Sequence, residues 1–131
     1  MPPRYKARLG KLAPMGEAGR ATALLSMLQD QTLGLSVFAI CELLAGARAA
    51  SDPASEGRRV SELLTSLEVV HTHEELPSRY AEVLHHLRLQ GKTIATMDLL
   101  IGVTALLASA PLVTRNERHF SRIPGLSLLS Y

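Results

Sequence analysis

The chain of 131 residues has no tryptophan, a single cysteine and only 4% aromatic side chains. One cysteine cannot close an internal bridge, so a disulfide-stapled scaffold is excluded, and the position of Cys41 in the apolar run FAICELLAGA predicts a buried thiol in a reducing compartment. Long apolar runs are missing as well. The stretch from Leu99 to Pro111 is interrupted by Gly102, Thr104 and Ser109 and falls short of the ~20 residues that cross a bilayer, so no membrane association is expected. The opening MPPRYKARLGKLAPMGEAGR is basic but lacks the apolar run of a secretory signal, which predicts a cytoplasmic location. No Gly-rich phosphate loop, internal repeat or low-complexity tract occurs, which removes nucleotide binding through a helix N-terminus and repeat architectures from consideration.

What remains is the composition of an ordinary globular protein, 47% apolar and 20% charged, at a length that suits one domain over residues 1–131. Charge is unevenly placed. Of the net +2, residues 1–20 carry +4 and residues 21–131 carry −2, so the basic character belongs to the N-terminal segment and is a weak sign of a nucleic-acid surface on the folded body. Residues 1–16 hold three prolines, two glycines and no periodic apolar pattern, which predicts an atypical N-terminal arm.

Beyond the arm, strands and helices alternate. Ala18 to Gln29 places Ala21, Leu24, Leu25 and Leu28 on one helical face. Leu35 to Phe38 is a short β-prone run feeding a helix that carries Ile40, Leu43, Leu44 and Ala47. Asp52-Pro53 reads as an N-cap acid followed by proline at N1, opening a helix with Val60, Leu63, Leu64 and Leu67 as its buried stripe. Glu68 to His71 is expected as a strand, and Glu74 to Gln90 as a helix with Tyr80, Val83, Leu84, Leu87 and Leu89 inward and Gly91 at C′. Thr96 is expected to cap a helix from Met97 to Ala108, followed by strands at Pro111 to Thr114 and Leu126 to Leu129. This alternation implies an α/β fold, a short parallel sheet flanked by helices.

In such a sheet, ligands sit beyond the carboxyl ends of the strands. Glu42 follows the first β-prone run between Cys41 and Leu43, and burying its carboxylate there costs several kcal/mol unless it is paired. Asp98 stands near the start of the helix after Thr96, where the helix dipole alone is worth roughly 0.3 to 1 kcal/mol. Asn116 and Glu117 follow the strand PLVT. Oxygen donors at several strand ends suit a hard divalent cation, because a cation offsets the repulsion between neighbouring carboxylates. His71 and His73 alternate after EVVH and read as an exposed strand edge, having no third ligand nearby; His85 and His86 read as surface residues. Arg115, Arg118 and Arg122 flank the acids and are either solvated surface or phosphate contacts for RNA.

The strings SVFAICELLAGA and ATMDLLIGVTALLASAPLVTRNERHFSRIPGLSL resemble two segments of VapC-like PIN-domain ribonucleases, and the resemblance extends over residues 20–131. It implies a three-layer PIN-like fold and a metal-dependent endoribonuclease, the toxin of a toxin–antitoxin pair. It also implies an RNA substrate, a VapB-like antitoxin, a homodimer and bound Mg²⁺ or Mn²⁺. Glu42 matches the second acid of the family pattern, Asp98 the third, and Asn116 the fourth position, held by Asp or Asn; Thr114 matches the small hydroxyl residue before it. These three, Glu42, Asp98 and Asn116, are the expected catalytic and metal-binding set.

One part of the pattern is missing. Family members open with a strand ending in an Asp, whereas the acids available here, Glu17 and Asp30, follow no β-prone run. The first strand is therefore expected to be missing or replaced, leaving its neighbours short of a hydrogen-bonding partner. Two carboxylates and an amide suit one Mg²⁺ better than a two-metal clamp. A displaced start or an upstream frameshift is the expected cause of the departure, to be checked by translating the upstream DNA. The alternative function is a catalytically inactive PIN-like remnant that binds RNA or protein.

Overall fold

A computed structural model describes residues 33–65 and 67–130. Two expectations, the helix at Ala18 to Gln29 and a missing or replaced first strand, lie outside these residues. Within them the order is β1 (Gly34–Ser36), α1 (Val37–Ala49), α2 (Pro53–Thr65), β2 (Glu68–Val70), α3 (Leu76–Leu89), α4 (Thr96–Leu107), β3 (Leu112–Thr114), α5 (Glu117–Phe120) and β4 (Leu128–Ser130). This is the α/β alternation expected, with short parallel strands and flanking helices.

Chain chemistry sets most boundaries. The β1 strand stops at Ser36 and not at Phe38, because the Ser36 hydroxyl accepts a hydrogen bond from the Ala39 N–H at 3.0 Å and so caps α1. Asp52 behaves as its sequence position predicts: its carboxylate accepts from the Ser55 N–H at 3.2 Å, with Pro53 opening α2. Gly91, at φ +66, follows the α3 C-cap Gln90, and the Lys92 N–H returns to the Leu87 carbonyl at 2.9 Å. The start of α4 differs from expectation. Its N-cap is Ala95, whose carbonyl accepts from the Leu99 N–H at 2.9 Å, so Thr96 is already helical and caps nothing. The last strand begins at Leu128, two residues late, because Pro124 and Gly125 (φ +79) turn the chain and the Leu126 N–H bonds to the Ile123 carbonyl.

The strands form two parallel ladders. Gly34, Leu35 and Ser36 face Glu68, Val69 and Val70, and Leu112, Val113 and Thr114 face Leu128, Leu129 and Ser130. No hydrogen-bonded ladder joins β1–β2 to β3–β4 among the described residues. Gly34 is needed where it stands, since a Cβ there would lie 2.7 Å from Val70 Cγ2.

The core is built on α3 and α4. Leu87, Leu99 and Val103 are fully buried, and Leu76, Val83, Phe120 and Ile123 complete the cluster. Four sequence expectations need correction here. Leu89 is 74% exposed, because it lies two residues, about 200° of helical turn, beyond Leu87. On α1 only Ala47 is buried, so Leu44 and Cys41 are exposed. The predicted buried thiol is thus a surface one. Leu63 of α2 is also exposed, with Val60 alone of its stripe buried.

Gly102, buried on α4, faces Ile123, Leu126 and Phe120, and a Cβ there would run into Ile123 Cδ1. Alanine normally favours a helix interior over glycine by ~1 kcal/mol, but overpacking costs about 1 to 3 kcal/mol. Gly102→Ala is therefore expected to lower stability in urea denaturation; a rise in the midpoint would show that Ile123 yields freely. Asp52→Ala, which removes the α2 cap, is expected to cost about 1 kcal/mol, and an unchanged midpoint would show the cap to be idle.

Candidate active site

Of the three expected site residues, Glu42 lies on α1, Asp98 on α4 and Asn116 at the N-cap of α5, and α1 and α5 both pack against α4. Glu42 is the sixth residue of α1, about 7.5 Å along the axis from its first residue. It is exposed, not embedded, so no desolvation cost demands a partner for it. Asp98 is the third residue of α4, half-buried in the first turn, where free N–H groups favour a carboxylate. Among the described residues neither carboxylate has a hydrogen-bond or ion-pair partner. No three His, Cys, Asp or Glu side chains gather as a metal-binding group among the described residues.

The loop after β3 is the most ordered part of the site by hydrogen bonding. Asn116 N-caps α5, and its backbone N–H donates to Thr114 Oγ1 at 3.0 Å. Its carbonyl accepts from the His119 and Phe120 N–H groups at 3.2 and 3.4 Å. Its side-chain Nδ2 lies 3.0 Å from His119 Nδ1. Glu117, next in sequence, is engaged elsewhere: its Oε2 accepts from Ser130 Oγ at 2.9 Å, tying α5 to the end of β4. Thr114 and Ser130 are register partners, so both hydroxyls arise at the carboxyl end of the β3–β4 ladder.

The flanking cations and imidazoles divide by role. Arg122 donates from Nη1 to the Thr93 carbonyl, which fastens the segment after α5 to the approach to α4. Arg118 is exposed. His73 Nδ1 accepts from the Glu75 N–H at 3.0 Å, and with His71 it lies beyond the end of β2 at Val70, not on a strand edge. His85 and His86 are exposed on α3, as expected of surface residues. Two participants were missed in the sequence, His119 and the Arg122–Thr93 link. The first had a legible signal, a polar side chain three residues after an N-cap, the spacing of a capping box. The second, between residues 29 apart, had none.

Residues 15–126 match the PIN domain family. Ribonuclease VapC2 of Rickettsia felis is 28% identical over 102 residues, 78% of this chain and 76% of that protein. The structure of VapBC2 from Rickettsia felis, bound to a DNA fragment from their promoter, superposes with a TM-score of 0.78 at 28% identity, covering 83% of each chain. That of VapBC-1 from nontypeable Haemophilus influenzae gives a TM-score of 0.76 at 26% identity over 82% of this chain and 84% of that one. An α/β alternation of these element lengths, a half-buried acid opening α4 and a matched span of this extent lead to one assignment: the chain belongs to the PIN-domain family, with VapC-like proteins as its relatives.

Proposed function

We propose that this chain is a divalent-metal-dependent endoribonuclease, the toxin of a toxin–antitoxin pair, with Glu42, Asp98 and Asn116 holding Mg²⁺ or Mn²⁺. The observation that carries the metal reading is Asp98, a half-buried carboxylate without a partner among the described residues, in a chain of this family. The donor set fits the ion chemically. Carboxylate and amide oxygens are hard ligands, and the two negative charges of Glu42 and Asp98 match a single divalent cation. When bound, such an ion lowers the pKa of coordinated water and offsets charge on phosphoryl oxygens.

The residues themselves do the positioning. Asp98 offers its charge from the rigid first turn of α4, anchored one residue on by the fully buried Leu99. Asn116 presents a neutral amide from a loop fixed by Thr114. Arg118, exposed on α5, is the proposed contact for an RNA phosphate. A VapB-like antitoxin is the proposed protein partner, in keeping with solved relatives that are VapBC complexes. Pairing of two copies is proposed through the exposed apolar residues Leu44 and Leu63 of α1 and α2. No helix among the described residues is long and apolar enough to cross a membrane.

Asp98→Asn is isosteric and removes one charge. It is expected to reduce Mg²⁺-dependent RNA cleavage on the order of 100-fold or more and to weaken Mn²⁺ binding in calorimetry, with the thermal midpoint nearly unchanged. Full activity in this variant would sink the metal assignment. RNA binding is expected to weaken as salt rises, and Arg118→Gln to flatten the log–log slope by about 0.7 if its guanidinium meets one phosphate of a single strand; an identical slope would remove Arg118 from the RNA path.

A further inference from the structure

We propose that His119 is a positioning residue for Asn116: its ring nitrogen holds the amide nitrogen and so sets which end of the side chain is offered to a metal. The inference rests on the reading of Asn116 as a ligand. An asparagine side chain has two ends of nearly equal size and opposite chemistry. Its Oδ1 carries lone pairs that a hard cation can take, whereas Nδ2 has only hydrogens to offer. A ligating asparagine therefore works in one of two orientations. A protein that uses one must supply something that distinguishes them.

The loop supplies it. Asn116 Nδ2 lies 3.0 Å from His119 Nδ1. Nδ2 can only donate, so the contact calls for Nδ1 as acceptor, the role it has in the tautomer with its hydrogen on Nε2. Among the described residues Oδ1 accepts no hydrogen bond, which leaves it available. The arrangement is local and firmly based. Asn116 and His119 are also joined through the backbone by the His119 N–H to the Asn116 carbonyl at 3.2 Å, and Phe120, one residue on, is buried in the core. Both side chains are exposed, so a substitution at 119 removes the side-chain contact and leaves the backbone bonds and the packing of Phe120 in place. His119 thus stands to Asn116 as an outer partner stands to a metal ligand, orienting it without touching the ion.

The test is binding of Mn²⁺ alone, read as free Mn²⁺ by electron paramagnetic resonance, with thermal midpoints measured alongside. His119→Phe is expected to raise the Mn²⁺ dissociation constant by roughly tenfold, the lower end of the range for outer partners, at an unchanged midpoint. His119→Asn, whose Oδ1 restores an acceptor near the position of Nδ1, is expected to recover most of that loss. In an Asn116→Asp background both ends of residue 116 are oxygen, so His119→Phe is expected to cost less than threefold. An equal loss in both backgrounds, or no loss with Asn116 intact, overturns the role of His119. Asn116→Ala is the control on the underlying reading: if it leaves Mn²⁺ binding unchanged, Asn116 is not a ligand and it is that reading which fails.

Discussion

Everything described depends on the burial of one helix. Leu99 and Val103 of α4 are fully enclosed, and α1, α3, α5 and β1 all pack on the helix that carries them. Burying such side chains contributes about 1.5 to 3 kcal/mol each, and the close approach at Gly102 lets Ile123 and Phe120 reach the α4 backbone. Asp98 immediately precedes Leu99. Its carboxylate therefore inherits the rigidity of the core, although it stands at the edge of that core.

Two hydrogen-bonded links then fasten the C-terminal part of the site, one of them to the approach to this helix. The Arg122 guanidinium joins the chain after α5 to the approach to α4, and Ser130 joins β4 to Glu117 at the start of α5. Between them the Asn116 loop is held from both sides. Glu42 has no comparable support. It projects from a helix of which only Ala47 is buried, so the proposed ligands differ in how firmly they are held.

Local chemistry was legible in the sequence and tertiary choice was not. The Asp52 cap, Pro53 and the positive φ of Gly91 depend on a few neighbouring residues, and a reader of the chain finds them. The exposure of Cys41, Glu42, Leu44 and Leu89 depends on which face of α1 or α3 meets another helix, which neither the apolar run around Cys41 and Glu42 nor the apolar periodicity through Leu44 and Leu89 specifies. Thr96 was misplaced because a threonine before an apolar run looks like a cap whether or not the helix has already begun. Of the proposed site, the acids and Asn116 rest on residue types at family positions. The partners of Asn116 and Arg122 were not legible, since a side-chain hydrogen bond leaves little pattern in a single sequence.

The spacing of the two ladders bears on how the molecule assembles. Gly34 pairs with Glu68, whereas Leu112 pairs with Leu128, so the first ladder encloses a loop about twice as long as the second. Each doubling of a flexible loop adds only roughly 0.6 kcal/mol of closure entropy. The difference favours the C-terminal ladder, which encloses Asn116, Glu117 and His119 within its own short loop. That half of the site is a nearly self-contained fragment of chain, whereas Glu42 lies within the longer closure, which spans α1 and α2.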